Sequence, residues 1–323
     1  GAFFDYNDFS YEYREPNFYD PNTWQRSILS GRIIISYPYS LQSIHYGDGA
    51  GLFCDPNNTV LLTDCSFTGN RIGNEQGLEN RYYGASSVDY YDSRYINGSG
   101  NGGGLYCGPN CAITAENCTF SENINGISDS VYSYSYDDYY LGRGDGGAIY
   151  CGPGSQLNLA GALISYNTSI YSGGGLYIGA ECSVAIGDCV ALGNDANDSG
   201  GALYCDVNTV IDINNSIFGN SNAFLGSGGA ICLREVSANI TNSSISDSKA
   251  RRGGGLYWID CDPNIINCMI SGNQATGRLE AGGGFYCLGS SALIENCVIT
   301  DNSAPEGFGA GAYVAGDNRQ PVL

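Results

Sequence analysis

The chain has 323 residues, with 33 acidic against 13 basic side chains, a formal charge of −20 and a pI near 4.1. That balance repels nucleic acid and anionic membranes, and no apolar stretch approaches the roughly 18 residues of a membrane-spanning helix. Fourteen cysteines exceed cytosolic usage and favour oxidising surroundings, so an extracellular or cell-surface location is expected. The chain opens on Gly1 without an initiator Met or a tag, and a mature, processed form is the expectation.

Residues 1–46 stand apart from the rest of the chain. They crowd Phe3, Phe4, Tyr6, Phe9, Tyr11, Tyr13, Phe18, Tyr19 and Trp24 among polar residues, while Pro16, Pro21 and Pro38 block long helices. Such a segment has too little core of its own and must lie on something, either the head of its own molecule as a cap or a neighbouring molecule. Arg32-Ile33-Ile34-Ile35-Ser36 reads as a strand. His45, the only histidine, reads as structural.

From residue 47 to 316 one phrase recurs. Gly-Gly-(Gly/Ala)-(Leu/Ile/Phe)-Tyr-Cys stands at 102–107, 146–151, 200–205 and 282–287, with looser copies from Gly49, Gly173, Gly228, Gly253 and Gly309. The last six intervals are 27, 27, 28, 25, 29 and 27 residues, the signature of stacked units that cannot bury their apolar face alone. A second phrase places an apolar residue three before an Asn, at Phe67/Asn70, Phe120/Asn123, Ile164/Asn167, Ala191/Asn194, Ile217/Asn220, Ile270/Asn273 and Ile299/Asn302; the sixth copy departs, with Ile245 and Ser248. From first Gly to this position the spacing is 21 residues in four copies and 20 in the next four. The stretch from there to the next Gly-Gly runs 32, 23, 6, 6, 8, 5, 9 and 7 residues, so the length variation sits at one corner of the unit.

In Gly-Leu-Tyr-Cys the side chains alternate faces, with Leu105 and Cys107 on one and Tyr106 on the other. The next segment alternates at Ile113 and Ala115, then shifts phase so that Cys118 and Phe120 pair, which marks a bend. Short strands with Gly and Asn at the bends and no helical period predict an all-β chain, a right-handed parallel β-helix of about nine turns. Stacking puts Leu52, Leu105, Ile149, Leu176, Leu203, Ile231, Leu256 and Phe285 in an interior ladder. It puts Phe53, Tyr106, Tyr150, Tyr177, Tyr204, Tyr257, Tyr286 and Tyr313 in an outer column, and the recurrent Asn in an amide ladder. Residues 317–323 are a tail.

Gly-Gly-Ala-Ile at 146–149 and 228–231, with Phe-Thr-Gly-Asn at 67–70 and Phe-Ser-Glu-Asn at 120–123, resembles the paired motifs of polymorphic outer-membrane proteins of autotransporter type. More broadly the chain is similar to the pectate-lyase-like right-handed parallel β-helix superfamily. The resemblance covers about residues 47–316 and implies surface display and adhesion; its short motifs specify fold far more than activity.

Two long corner insertions, 71–101 and 124–145, carry Tyr82, Tyr83, Tyr90, Tyr91, Tyr95 and then Tyr132, Tyr134, Tyr136, Tyr139, Tyr140. Meeting at one corner, they form a Tyr-rich lobe suited to saccharides or protein partners, or they merely cover each other. Cysteines in register, Cys54 with Cys107, Cys65 with Cys118 and Cys268 with Cys297, are candidate disulfides at a coil spacing of about 4.8 Å; a ladder of buried thiols is the alternative. Sequons at Asn57, Asn97, Asn117, Asn167, Asn197, Asn214, Asn239 and Asn242 are candidate glycosylation sites, although Asn117 falls inside a strand.

Catalysis on this fold would need a base beside calcium-bound carboxylates, or paired carboxylates. The candidates, Arg143 with Asp145, Asp137 with Asp138, or Arg251 with Arg252, match no motif, and no cofactor or metal is assigned. A polysaccharide lyase or hydrolase is therefore the minority expectation, and a carbohydrate-binding adhesin the other alternative. The expectation is a non-enzymatic structural protein whose main partner is itself. Tyr313 and Val314 in the last copy leave an edge to which Ile33, Ile34 and Ile35 of another molecule can add, and such a head-to-tail contact propagates into a filament.

Overall fold

A complete repeat makes four short strands, because its apolar residues alternate for only three to five positions before a corner residue resets the pleat. In the repeat that begins at Gly173 they are Leu176–Ile178, Ser183–Gly187, Val190–Leu192 and Asp195–Ala196. The computed structural model describes residues 51–72, 100–125 and 144–316, together with the backbone of 11–14 and 26–36.

Like strands of successive repeats pair in parallel and without slip: Leu176 lies between Ile149 and Leu203, and Val184 between Leu157 and Ile211. First strands build a nine-stranded sheet from Leu52–Cys54 to Ala312–Ala315, and fourth strands a seven-stranded sheet from Arg71–Ile72 to Gln274–Ala275. Second and third strands form one bent sheet, joined through the long strand Thr59–Thr68. The chain is a parallel β-solenoid.

Its interior is the expected ladder. Leu105, Ile149, Leu176, Leu203, Ile231 and Leu256 are all at 0 % exposure, each burial stabilising by roughly 1.5–3 kcal/mol. Phe67 stacks on Phe120 and Trp258 on Phe285, with ring centroids 4.9 and 4.8 Å apart.

The corners explain the phase shift. A residue in the left-handed region reverses the pleat, and the next residue then points inward: Asn117 (φ 52°) precedes Cys118, Asp188 (φ 54°) precedes Cys189 and Glu122 (φ 56°) precedes Asn123. Of the 18 non-Gly residues with positive φ among the described residues, 14 are Asn or Asp, the types that tolerate this region best. Gly173 takes it at the Gly-Gly corner (φ 65°), while at Gly174 a Cβ would sit 2.3 Å from the Asp195 carbonyl oxygen, so the coils leave no room for a side chain.

Turning a corner removes the inward residue's N–H from the strand ladder, and where the next coil carries an acceptor its side chain takes that N–H; Ala162 and Val236, in register after Cys118 and Thr209, carry none. At one corner Cys111 donates to Ser155 Oγ (2.9 Å), Cys182 to Thr209 Oγ1 (3.2 Å) and Cys261 to Ser290 Oγ (3.0 Å). At the next, Cys189 donates to Ser216 Oγ (3.1 Å), Ser216 to Ser243 Oγ (3.1 Å) and Cys268 to Cys297 Sγ (3.4 Å). The third corner is unbroken, each N–H donating to the following member of the series Asn70, Asn123, Asn167, Asn194, Ser221, Ser248, Asn273 and Asn302. Each interior Asn amide also reaches back: Asn167 Nδ2 donates to the Phe120 carbonyl (3.0 Å) and to Asn194 Oδ1 (2.9 Å).

The fifth copy corrects the expected register. Phe218, not Ile217, stacks between Ala191 and Ile245, and Ser221, not Asn220, joins the ladder. Asn220 is the left-handed residue before it (φ 50°) and Ile217 is 44 % exposed. With side chains alternating at a period of two, a one-residue misreading puts the wrong residue inside.

At the N-terminal end the solenoid carries an antiparallel strand. Arg26–Ser36 runs along Thr59–Thr68, with Ile33 opposite Leu62, Ile34 opposite Leu61 and Ile35 opposite Val60. The register shifts between Ser30 and Arg32, where the solenoid strand turns its corner at Asp64 and Cys65. Tyr11–Arg14 pairs antiparallel with the other edge of that strand, from Arg26 to Leu29. Residues 26–36 and 11–14 thus add two antiparallel strands beside the first coil of their own molecule.

Replacing Asn167 with Ala leaves the Asn123 N–H and amide without their acceptor and should cost about 1–3 kcal/mol for each orphaned group. Asn167→Ser should recover part of this, as Ser221 does naturally. Equal melting temperatures for the Ala variant and the parent would contradict the ladder's role.

Candidate functional site: the aromatic face and the open end

Because Tyr follows the inward Leu or Ile of each first strand, stacking lines up the rings on the outer face. Centroids lie 4.9 Å apart for Phe53/Tyr106, 5.2 Å for Tyr106/Tyr150 and Tyr150/Tyr177, and 5.1 Å for Tyr177/Tyr204. The column resumes with Tyr257, Tyr286 and Tyr313 at 5.2 Å. Its break is Cys232, in register between Tyr204 and Tyr257. The outward rings are more covered than their direction suggests, with Tyr106, Tyr204 and Tyr286 all buried.

Charged groups gather around the break. Arg234 Nη1 donates to Tyr204 Oη (3.0 Å), and the Tyr177 hydroxyl donates to Asp206 Oδ2 (3.5 Å). Burial pushes the phenols of Tyr177, Tyr204 and Tyr257 above their ordinary value, so they stay protonated hydrogen-bond donors. Burial likewise raises the Cys205 and Cys232 thiols, and Cys261 is pushed up to about 11. Protonated thiols are poor nucleophiles. Among the described residues no group of three or more His, Cys, Asp or Glu is placed to hold a metal ion.

Several expected site residues fall elsewhere. Tyr82, Tyr83, Tyr90, Tyr91, Tyr95, Tyr132, Tyr134, Tyr136, Tyr139 and Tyr140, with His45, Asn97, Asp137, Asp138 and Arg143, lie outside the described residues. The flanks of both insertions are adjacent, since Arg71–Ile72 pairs with Ile124–Asn125. Asp145 belongs to the corner hydrogen bonding, donating its N–H to Asn101 Oδ1 (2.9 Å) and accepting the Ser172 N–H on Oδ1 (3.0 Å). Arg251 and Arg252 are exposed, and the Arg252 guanidinium sits 5.9 Å from the Tyr286 ring centroid as a cation–π partner.

None of the fourteen cysteines forms a disulfide, the expected pairs included; register sets Cys54 beside Cys107 without a bond between them. Asn167 is corrected as a glycosylation site: at 0 % exposure, with its amide nitrogen donating twice, it has no room for a glycan. Asn57, Asn197, Asn214 and Asn242 are exposed and Asn239 is half-buried. Asn117 is exposed at its corner. A shallow groove of about 560 Å³ runs past Asn215, Asn242 and Asn267 beside exposed Ile217, Met269 and Val298, offering amides and aliphatic surface but no acid–base pair.

The two ends differ. In the first coil Val60, Leu62, Cys65 and Phe67 are all covered, with exposures of 0–2 %. In the last, the inward positions are bare: Val314 is 66 % exposed, Ile299 38 %, and Ala312 is exposed as well. The N–H groups of Asn302 and Cys297 find no acceptor among the described residues, whereas every earlier member of the Asn302 series has one in the next coil. The expectation for Tyr313 and Val314 pointed to this surface; the second and third strands of the last coil, Leu293–Glu295 and Val298–Thr300, were not singled out from the sequence.

Asp195 and Asp198 share one coil, and burial raises both carboxyls above their ordinary value. A carboxyl raised on folding contributes its full stability below about pH 3.9 and loses it as the pH rises through the raised value. The melting temperature should therefore fall less steeply between about pH 4 and pH 7 in the D195N/D198N variant than in the parent; parallel slopes would contradict this. No protein-family model, curated protein or solved structure matches the chain.

Proposed function

We propose that this chain is a non-enzymatic structural protein of the extracellular space, a right-handed coil of about nine turns of the pectate-lyase-like kind, which adds end to end into filaments. The observation that carries this reading is the bare inward row of the last coil, Ile299 and Val314, at the end of a ladder that is otherwise sealed. An unpaired, apolar sheet edge is a template for strand addition unless it is blocked. Here the edge strands are Leu293–Glu295, Val298–Thr300 and Ala312–Ala315, which hold a single charged residue, Glu295, and no lysine or proline. The two ends present different surfaces, so a contact between them is heterologous and continues from molecule to molecule.

Light scattering and negative-stain microscopy of the 323-residue chain should show mass and length growing with concentration. The I299D/V314D variant should remain monomeric with little change in melting temperature, since both side chains are already exposed. A parent chain that stays monomeric at high concentration would refute the reading.

A further inference from the structure

The third strands make a face unlike the others. From Thr119–Ser121 to Val298–Thr300 seven third strands carry no charged residue, and neither do residues 66–68 before them. Second strands, by contrast, hold Glu116, Asp212 and Glu295. One outward column of the third face, Leu163, Val190, Ile217, Ser244, Met269 and Val298, stands in register coil on coil. Leu163 is 40 % exposed, Ile217 44 %, Met269 46 % and Val298 57 %. Carboxylates stand at the corners on either side, among them Asp188, Asp247 and Asp301. An apolar strip with a polar rim is the anatomy of a protein interface. Both insertions leave after fourth strands, at Ile72 and Asn125, one sheet away from this face.

Resting on the end-to-end reading, we infer that the third face docks on the third face of a second copy running in the opposite direction, so that filaments pair side by side. Charge selects the occupant: two copies at −20 repel, and this face lets them meet without laying carboxylate on carboxylate. A face that packs on its own copy about a two-fold axis is self-complementary, and the contact closes. From Leu163 to Val298 the face measures about 30 Å by 15 Å, on the order of 450 Å² on each copy. A total of about 900 Å² falls below the roughly 1,200–2,000 Å² of a stable pair, so single molecules stay apart. A filament repeats the contact with every subunit, and the pair then holds through avidity.

Symmetry and charge fix the register. With the two-fold axis along the strands, between Ile217 and Ser244, each outward residue meets its own column with the coil order reversed, and the sheets pack with their strands aligned. Leu163 then faces the partner's Val298, and Val190 the partner's Met269. At the corners Asp188 meets the partner's Asn267, Asp247 the partner's Asn220 and Asp301 the partner's Tyr166, so no two carboxylates oppose. A shift of one coil toward the C-terminus would set Asp247 on Asp247, and one toward the N-terminus Asp301 on Glu122. Copies running in the same direction would instead lay the apolar column on the column of Ser165, Gly219 and Ser271.

Negative-stain microscopy tests the pairing, and the parent should give filaments of double width. Met269→Asp, at an exposed position, should give single filaments of unchanged length and leave the melting temperature as it is. Adding Val190→Lys should restore the double width, because Val190 faces Met269 across the axis although three coils separate them within one chain. Adding Leu163→Lys in its place should not. Double filaments that Val190→Lys fails to restore would overturn the antiparallel register. Parent filaments of single width, or double filaments indifferent to Met269→Asp, would overturn the pairing and leave end-to-end addition standing. A parent that forms no filament would overturn both.

Discussion

The structure depends on what becomes of one backbone N–H at each corner. A coil that closes in under 30 residues must bend several times, and at each bend the left-handed residue swings the following N–H out of the strand ladder and into the interior. Left unpaired there, each such group would cost about 1–3 kcal/mol, and three corners per coil repeat the charge along the molecule. The solution is a side chain from the next coil, and it demands strict register, since Asn167 can serve Asn123 only if the coils above and below neither slip nor change length. That is why the insertions are confined to the fourth corner, after Ile72 and Asn125, which stand in register.

This hydrogen bonding also gives the solenoid a direction. Along the Asn/Ser corner every N–H from Asn70 to Asn273 donates toward the C-terminal coil, so the first and last coils are not equivalent. Among the described residues, Asn70 keeps a buried Oδ1 without a donor at one end, and Asn302 keeps an N–H without an acceptor at the other. The antiparallel strand over Thr59–Thr68 covers the first end without copying the parallel pattern, and it leaves the last coil as the apolar, unpaired surface on which function is proposed to rest.

The parts legible in the sequence are those where one residue type answers one physical demand. Leu and Ile fill the interior, Tyr the outer column, and paired Gly the corner where backbones meet, so the register Leu105–Ile149–Leu176 could be read directly. The other two inward corners were not legible, because Cys, Ser and Thr all accept a corner N–H and no single letter recurs: Cys111 is followed by Ser155, and Cys182 by Thr209. The same ambiguity misplaced Asn220, whose type suits both the left-handed corner and the ladder beside it. At the candidate site the β-branched run Ile33–Ile35 announced a strand, but a period of two is the same for parallel and antiparallel neighbours, so its pairing with Thr59–Thr68 could not be foreseen.

Amide hydrogen exchange resolved to single residues tests the central claim most directly. The account predicts that the corner N–H groups of Asn123, Asn167 and Asn194 exchange only with global unfolding, while those of Cys297 and Asn302 in the last coil exchange fast in dilute, unassembled protein. Interior corner amides that exchange as fast as those of the last coil would contradict it.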